Sequence, residues 1–267
     1  MARISRLNCL NEREKQGVYR LLIPNKILKL FEIDPESGKN KQKEQVVCYE
    51  CPEGSAEAGI EIKARPSDQD PIFYIEVSDS RDLIQLQWDF ILINDIRAPR
   101  FNTDVTQEGK DRWFYWDTRN LPEEIRAVEA GLAPGQTRPG LRLIDELNQC
   151  LDQFCLTLGL KSIFMEALFY HNAIAYERNG FRYFQGEKIM KMIDKEFQPG
   201  GRIYKLLDDS PFRRRSFYNS VRGRSWAIHD GILKELDDPE IDNWTPPKMY
   251  RMTGEYFNIH TCSGVGW

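Results

Sequence analysis

The strongest constraint on the fold is a run in which every second residue is apolar. The run consists of Ile84, Leu86, Trp88, Phe90 and Leu92. Two shorter stretches, at 60–65 and 73–78, alternate in the same way. A period of two puts successive side chains on opposite faces of a β-strand, so each strand buries one face. We therefore expect residues 17–104 to be mostly strands of an antiparallel sheet.

The middle of the chain changes to helical spacing. Leu121-Pro122-Glu123-Glu124 is typical of a helix start, with proline and acids in the first turn. Residues 144–158 place apolar side chains on one face, and Gly159 ends that helix. An apolar strand at 162–168 and helices at about 172–179 and 186–198 follow. The sequence thus predicts a mixed α/β fold, in which a largely antiparallel central sheet is flanked by helices.

We expect the chain to divide into three consecutive parts. The chain has 267 residues, 41% of them hydrophobic, which is enough for a sizeable core. We expect a β-rich part at 1–82, a core at 83–198, and an irregular C-terminal extension at 199–267 that packs on the core.

Several classes of protein are disfavoured. The net charge of −4 disfavours a nucleic-acid partner. No apolar run reaches the roughly 18 residues that a membrane span needs, so we expect a cytoplasmic protein without a membrane partner. Of six cysteines, only Cys48 and Cys51 have ligand-like spacing, and no second pair accompanies them. We interpret the thiols as structural and predict no metal site from them.

One segment points to a chemistry. Tyr176 stands four residues before Gly180 of a Gly-Phe pair, in a short helix that follows an apolar strand. A glycine-containing loop at 136–142 precedes the long helix at 144–158. Over about residues 83–185, this arrangement resembles the GNAT acyltransferase superfamily.

The resemblance implies roles for individual residues. Tyr176 would protonate the departing thiolate as a general acid. The loop before the long helix would bind the pyrophosphate of coenzyme A or acyl-CoA through Gln136, Arg138, Gly140 and Arg142. Asn172 would be the counterpart of a family asparagine, or else an N-cap residue. Because the loop has Pro139 and a single glycine, the thioester of an acyl carrier protein is an alternative donor.

The three histidines leave alternatives open. His171 adjoins the predicted site, and His229 precedes Asp230, which could orient it as a base or metal ligand. Together with His260 they would form a metal site if the fold brought them together. Asp95 or Asp104, after the strongest strand, could instead accept a proton from an amine.

An arginine-rich segment offers a second candidate surface, comprising Arg213, Arg214, Arg215, Arg222, Arg224 and Trp226. It could bind a carboxylate or phosphate of a substrate, or nucleic acid. Alternatively, its arginines pair with Asp208, Asp209, Asp237 and Asp238.

The sequence therefore predicts an acyltransferase that moves an acyl group from a thioester to an amine of a small anionic acceptor. The amine would attack directly, without a covalent enzyme intermediate. One alternative is another kind of enzyme on the same scaffold, using His171, His229 and Asp230 with or without a metal. The other is a non-catalytic binding module.

Overall fold

The protein divides into two compact units that interleave along the chain. The computed structural model describes residues 3–82, 84–110, 118–241, 243–262 and 264–267. The first unit consists of Met1–Arg97, Gly140–Glu166 and Tyr250–Tyr256. The second consists of Ala98–Pro139, Ala167–Met249 and Phe257–Trp267. The division into consecutive parts at 1–82, 83–198 and 199–267 stays a prediction. Each of the two units is built from three separate stretches of the chain.

The fold is mixed α/β with a largely antiparallel sheet flanked by helices, which confirms the predicted class. The strands are β1 (Val47–Glu50), β2 (Glu57–Ile62), β3 (Phe73–Asp79), β4 (Gln85–Ile93), β5 (Ser162–Glu166), β6 (Arg182–Gln185) and β7 (Lys248–Met252). The helices are α1 (Ile4–Leu7), α2 (Glu12–Tyr19), α3 (Asn25–Leu30), α4 (Leu121–Glu129), α5 (Ile144–Leu158), α6 (Tyr170–Arg178), α7 (Glu187–Phe197), α8 (Arg202–Lys205) and α9 (Val221–His229). Short 3₁₀ turns lie at Arg20–Leu22, Arg215–Asn219 and Ile232–Leu236.

The sheet of the first unit follows the order β1-β2-β3-β4-β5-β7. β1 to β4 pair antiparallel with their sequence neighbours, whereas β4 and β5 are parallel. A parallel pair needs a long crossover, and the segment that contains α5 supplies it. Ile75 and Val77 are buried while Glu76 between them is not, so β3 has the expected alternation.

Helix α5 forms as its apolar spacing predicts. Leu147, Leu151 and Phe154 are fully buried along one face, and Gly159 ends the helix with φ of +71°, a conformation that costs glycine little. Each such buried side chain contributes about 1.5–3 kcal/mol. Replacing Leu151 by alanine would therefore cost about 2–5 kcal/mol.

The first thirty residues are largely helical, which corrects the prediction of strands from residue 17. α2 begins where the Asn11 side chain accepts a hydrogen bond from the amide of Glu14, at 3.0 Å. Its last residue, Tyr19, is buried with its ring 5.9 Å from that of Phe154 in α5. Tyr19 also donates a hydrogen bond to Asn8, at 2.6 Å. Packing against α5 thus favours the helix over a strand.

The second unit has its own core around Trp226. The cluster comprises Phe101, Ala127, Val128, Leu132, Phe212 and Trp226. The Trp226 ring stacks on Phe212 with centroids 5.4 Å apart, and its Nε1 donates to the carbonyl of Leu132 at 2.7 Å. Both the apolar body and the polar atom of the indole are therefore satisfied.

The C-terminal residues are more regular than predicted. They contain α8, α9 and β7, and Ser220 caps α9 by accepting from the amide of Gly223 at 3.1 Å. In β7, Arg251 is fully buried and its Nη1 lies 2.9 Å from Asp152 Oδ2. A strand with a buried arginine has no clear apolar alternation, so the sequence pattern did not reveal it.

Among the residues that the structure describes, none of the helices combines the length and the apolar character that crossing a membrane requires.

Candidate functional site

β4 contains a β-bulge at Asp89. Val77 of β3 is opposite Trp88, and Glu76 is opposite Phe90, so Asp89 is the extra residue. Trp88 faces the core and is 2% exposed. The bulge turns Phe90 to the other face, the one that carries Glu76. The alternation from Ile84 to Leu92, predicted as one continuous run, therefore breaks at Asp89.

The pairing between β4 and β5 ends at the same place. Residues Gln85–Trp88 pair with Ser162–Met165, whereas β4 continues to Ile93. Beyond Trp88, no strand of the described chain pairs with β4 on the β5 side. An open strand edge of this kind can bind an extended ligand through backbone hydrogen bonds.

The loop before α5 touches the far end of β4. A Cβ atom on Gly140 would lie 3.3 Å from the carbonyl oxygen of Ile93, which is closer than most Cβ atoms come to a neighbouring atom, so glycine eases this approach. Arg142 is exposed and has φ of +56°, and α5 begins at Ile144. The first unit therefore holds the open edge of β4 and the predicted Gly140–Arg142 part of the phosphate loop together.

The first turn of α5 is acidic. It carries Asp145 and Glu146, and Glu146 accepts a hydrogen bond from the amide of Lys26 at 3.1 Å. Acids at a helix N-terminus lower its attraction for anions. The loop is consequently a weaker site for a pyrophosphate than a helix N-terminus without acids.

The other two residues predicted for this loop lie in the second unit and contact the chain itself. The Gln136 side chain accepts from the amide of Ala133 at 2.8 Å. Arg138 donates through Nη1 to the carbonyl of Ala98. The first interaction closes the turn at 133–136, and the second ties Arg138 to Ala98, so both side chains have a structural role in the second unit.

Asn172 is the third residue of α6. The helix begins at Tyr170 with Phe169 in the N-cap position, so the interpretation of Asn172 as an N-cap was wrong. Its predicted contact with coenzyme A stays a prediction.

Tyr176 lies in α6 and is 7% exposed. Its ring is 5.9 Å from that of Phe181, whose amide donates to the Tyr176 carbonyl at 3.0 Å. Burial raises the pKa of the Tyr176 phenol above its ordinary value. The hydroxyl therefore keeps its proton at neutral pH, as a general acid must.

His171 is a buried neutral imidazole. Its Nδ1 lies 2.9 Å from Oγ of Ser225 in α9. Burial lowers the pKa of His171 to about 3, and electrostatic interactions with Arg222 and His229 lower it further. At neutral pH it is uncharged, which suits a fixed polar contact more than the role of a proton acceptor.

The acidic neighbour of His229 is Glu124 rather than Asp230. Oε1 of Glu124 lies 3.6 Å from Nε2 of His229, and both side chains are almost fully buried. The Asp230 carboxylate is held between two guanidinium groups, with Arg119 at 2.8 Å and Arg213 at 2.7 Å. The prediction that Asp230 orients His229 therefore has no support in these contacts.

Two of the three histidines converge. The ring of Phe169 lies 5.6 Å from His171 and 5.8 Å from His229, whereas His260 is exposed. Within the described ranges, no group of three or more His, Cys, Asp or Glu side chains is arranged to hold a metal ion.

The arginine-rich segment is largely compensated within the second unit. Arg213 pairs with Asp230 and Glu235, Arg214 with Glu129, Arg215 with Asp209 and Arg224 with Asp194, while Arg222 donates to the carbonyl of Gly131. Arg224 is fully buried, and Trp226 lies in the core at 1% exposed. These two side chains hold the unit together, so neither is placed as a substrate-binding group.

The carboxylates at the end of β4 differ in their surroundings. Asp95 is in an ion pair with Arg97 at 2.7 Å, and Asp104 with Arg100 at 2.6 Å. Asp89, which sequence reasoning missed, is exposed at the surface, yet desolvation of its carboxyl group beside the sheet raises its pKa to about 6. Regular alternation in the sequence carried no sign of a bulge there.

No protein-family model, curated protein or solved structure matches this chain at a significant level.

Proposed function

We propose that this protein is a GNAT-like acyltransferase, which transfers an acyl group from a phosphopantetheine thioester to an amine. The observation that carries the proposal is the open edge of β4 from Asp89 to Ile93, beyond its last pair with β5.

The open edge suits an extended donor. Phosphopantetheine has two amides along a thin chain, and these can hydrogen-bond to a strand edge as a peptide strand does. A backbone N–H beside the thioester also polarises its carbonyl and stabilises the oxyanion that forms when the amine attacks.

The loop at Gly140–Arg142 gives the donor a second point of attachment. Its close approach to Ile93 brings the loop, which carries the exposed Arg142, to the end of the open edge. Asp145 and Glu146 oppose the multiple phosphate charges of coenzyme A. A carrier-protein thioester has a single phosphodiester, and this favours it over coenzyme A.

Tyr176 belongs to the second unit, so its role as the proton donor to the leaving thiolate rests on the sequence resemblance. Burial keeps the phenol protonated, and protonation of the leaving group contributes about a hundredfold or more to such reactions. The acceptor is an amine. The arginines of 213–224 pair with groups of the protein itself, so they give no reason to expect that the acceptor is anionic.

Donor binding tests the proposal directly. The midpoint of thermal unfolding is measured with pantetheine, coenzyme A, acetyl-CoA and an acetylated acyl carrier protein. A donor at a hundred times its Kd stabilises the protein by about 2.7 kcal/mol. We expect a rise with at least one acylated donor and a smaller rise with pantetheine; no rise with any of the four contradicts the proposal.

A second candidate rests on the two convergent histidines, which contact Ser225 and Glu124. A reaction carried by these imidazoles would need His229. If the His229→Ala variant keeps full transfer activity and elemental analysis detects no metal, this candidate is removed.

A further inference from the structure

The sheet of the first unit has one face that reaches solvent. Side chains that point into the core, such as Ile60, Ile75 and Val77, are buried. The residues between them point to the opposite face, because successive side chains alternate along a strand. We call this opposite side the outer face. Its half-buried or exposed side chains include Glu50, Glu57, Glu61, Tyr74, Glu76 and Phe90.

Two aromatic rings lie next to each other on the outer face. The ring centroids of Tyr74 in β3 and Phe90 in β4 are 6.1 Å apart, and the ring planes are tilted by 58°. Both side chains are half-buried, so part of each ring stays in contact with water. When one face of an antiparallel sheet is solvated, its residues are usually polar. Accessible aromatic rings at such positions are typical of a surface that contacts a partner.

Two carboxylates adjoin the rings. Glu50 of β1 and Glu76 of β3 are the residues opposite Gly59 of β2 in the register. A Cβ atom on Gly59 would lie 3.3 Å from Oε2 of Glu50 and 3.2 Å from the hydroxyl of Tyr74. The carboxylate of Glu50 and the phenol of Tyr74 therefore meet above the glycine.

The negative charge of the outer face is poorly compensated. Within the described part of the chain, Glu61 has a basic partner, Lys63 at 3.4 Å, whereas Glu50, Glu57 and Glu76 have none. Glu57 and Glu76 are diagonal neighbours in the pairing of β2 and β3, and like charges on adjacent strands repel each other. Desolvation raises the pKa of Glu76, and the charges of Glu57 and Glu50 raise it further. A cation bound at this face would remove the repulsion.

We propose that the outer face is a docking surface for an arginine-bearing segment of a partner protein. A guanidinium group stacks on the Tyr74 and Phe90 rings and donates hydrogen bonds to the neighbouring carboxylates. Arginine suits this surface better than lysine, because its planar fork both stacks on aromatic rings and matches the geometry of a carboxylate.

The dimensions of the outer face suit a protein segment more than a small cation. Its acids and rings are spread over the four strands from β1 to β4. Neighbouring strands lie about 4.8 Å apart, so the set extends over about 14 Å. The inference does not depend on the proposed acyl transfer, because it uses side chains of the sheet face and not the backbone edge of β4.

Fluorescence anisotropy of the full chain with three labelled peptides tests the proposal. The peptides alternate serine with arginine, lysine or citrulline, and citrulline keeps the shape of arginine without its charge. We expect the arginine peptide to bind most tightly, the lysine peptide more weakly, and the citrulline peptide not measurably.

Two charge variants locate the binding surface. Glu76→Gln should weaken binding of the arginine peptide about tenfold or more, because hydrogen bonds between charged groups are the strong ones. The control is Glu255→Gln, which removes an exposed carboxylate of the first unit outside the outer face. It should change the affinity less than about twofold.

Thermal unfolding without peptide provides a second readout. Glu76→Gln should raise the unfolding midpoint, because it removes the repulsion from Glu57 and Glu50, and the rise also shows that the variant folds. No binding of the arginine peptide by the wild type, equal binding of the citrulline peptide, or equal losses in the two variants would overturn the proposal. Displacement of the arginine peptide by an equal concentration of spermidine would also overturn it, since a small cation would then suffice.

Discussion

The Oε1 atom of Glu124, in α4, lies 3.6 Å from Nε2 of His229, at the end of α9. The other carboxylate oxygen of Glu124 accepts from Nε of Arg119 at 2.7 Å. Burial alone would raise the pKa of Glu124, but its contacts with His229 and Arg119 outweigh burial and lower the pKa to about 2. The second unit thus contains a buried carboxylate that is stable only with its partners.

Glu124→Gln should therefore destabilise the protein. Removing one partner of a buried ion pair costs about 3–5 kcal/mol, and equilibrium unfolding in urea measures the loss. The control is Glu129→Gln, because Glu129 is exposed and 3.8 Å from Arg214; surface pairs contribute about 0–1 kcal/mol. Equal effects of the two variants would contradict the assignment.

The contribution of His171 to stability should fall as the pH is lowered from about 6.5 toward 3. The pKa of His171 is lowered to about 3 in the folded protein, so over this window the unfolded chain binds a proton that the folded protein does not. The contribution of His171 to stability is therefore fully present above its unfolded pKa of about 6.5. Each unit by which folding lowers this pKa corresponds to about 1.4 kcal/mol. Glu124 also loses its contribution to stability as the pH falls, but only below its ordinary pKa of about 4.5.

The variant that isolates the histidine is His171→Gln. Between pH 7 and 5, where Glu124 contributes little, its unfolding free energy should depend less on pH than that of the wild type. His260→Gln, at an exposed position, should keep the wild-type dependence. A steep dependence that survives in His171→Gln would show that another group is responsible.

Tyr176→Phe separates catalysis from binding. The ring contact with Phe181 at 5.9 Å is retained, so the fold should be preserved. Acid catalysis predicts a loss of transfer rate of about a hundredfold or more, whereas a binding module predicts unchanged donor binding and no loss of function. The rate is measured by thiol release, and circular dichroism checks the fold.

A pair of glycine variants tests the loop at the end of β4. Gly140→Val places a side chain against the Ile93 carbonyl, 3.3 Å from the Cβ position, and should weaken donor binding at least tenfold. The control is Gly17→Ala within α2, where nothing lies within 4 Å of the added Cβ. Alanine in a helix interior is more stable than glycine by about 0.5–1 kcal/mol, so this variant should gain stability and bind the donor normally. Calorimetric titration measures both affinities.

Periodicity predicted the middle of the fold well. α5, β5 and α6 lie where apolar spacing and the stop at Gly159 put them, because their burial follows a regular period. The N-terminal helices were missed, since the burial of Tyr19 against Phe154 is a long-range contact that local spacing does not encode.

The candidate site was less predictable than the fold. In the sequence, Phe90 continues the apolar alternation of Trp88, which predicts that both side chains lie on one face of β4. The bulge at Asp89 instead puts the two side chains on different faces of the sheet. The partner of His229 was expected next to it in the chain, at Asp230, but Glu124 comes from a segment about a hundred residues earlier. Both outcomes depend on how distant strands and helices meet, which one sequence does not reveal.

The interleaving of the two units has a consequence for synthesis in the cell. The first unit needs Tyr250–Tyr256, and the second needs Phe257–Trp267. Neither can complete its fold on the ribosome until these last segments have emerged, although domains usually fold in order as they are made. Nascent chains of this protein should therefore depend on chaperones for longer than a protein whose N-terminal domain closes first.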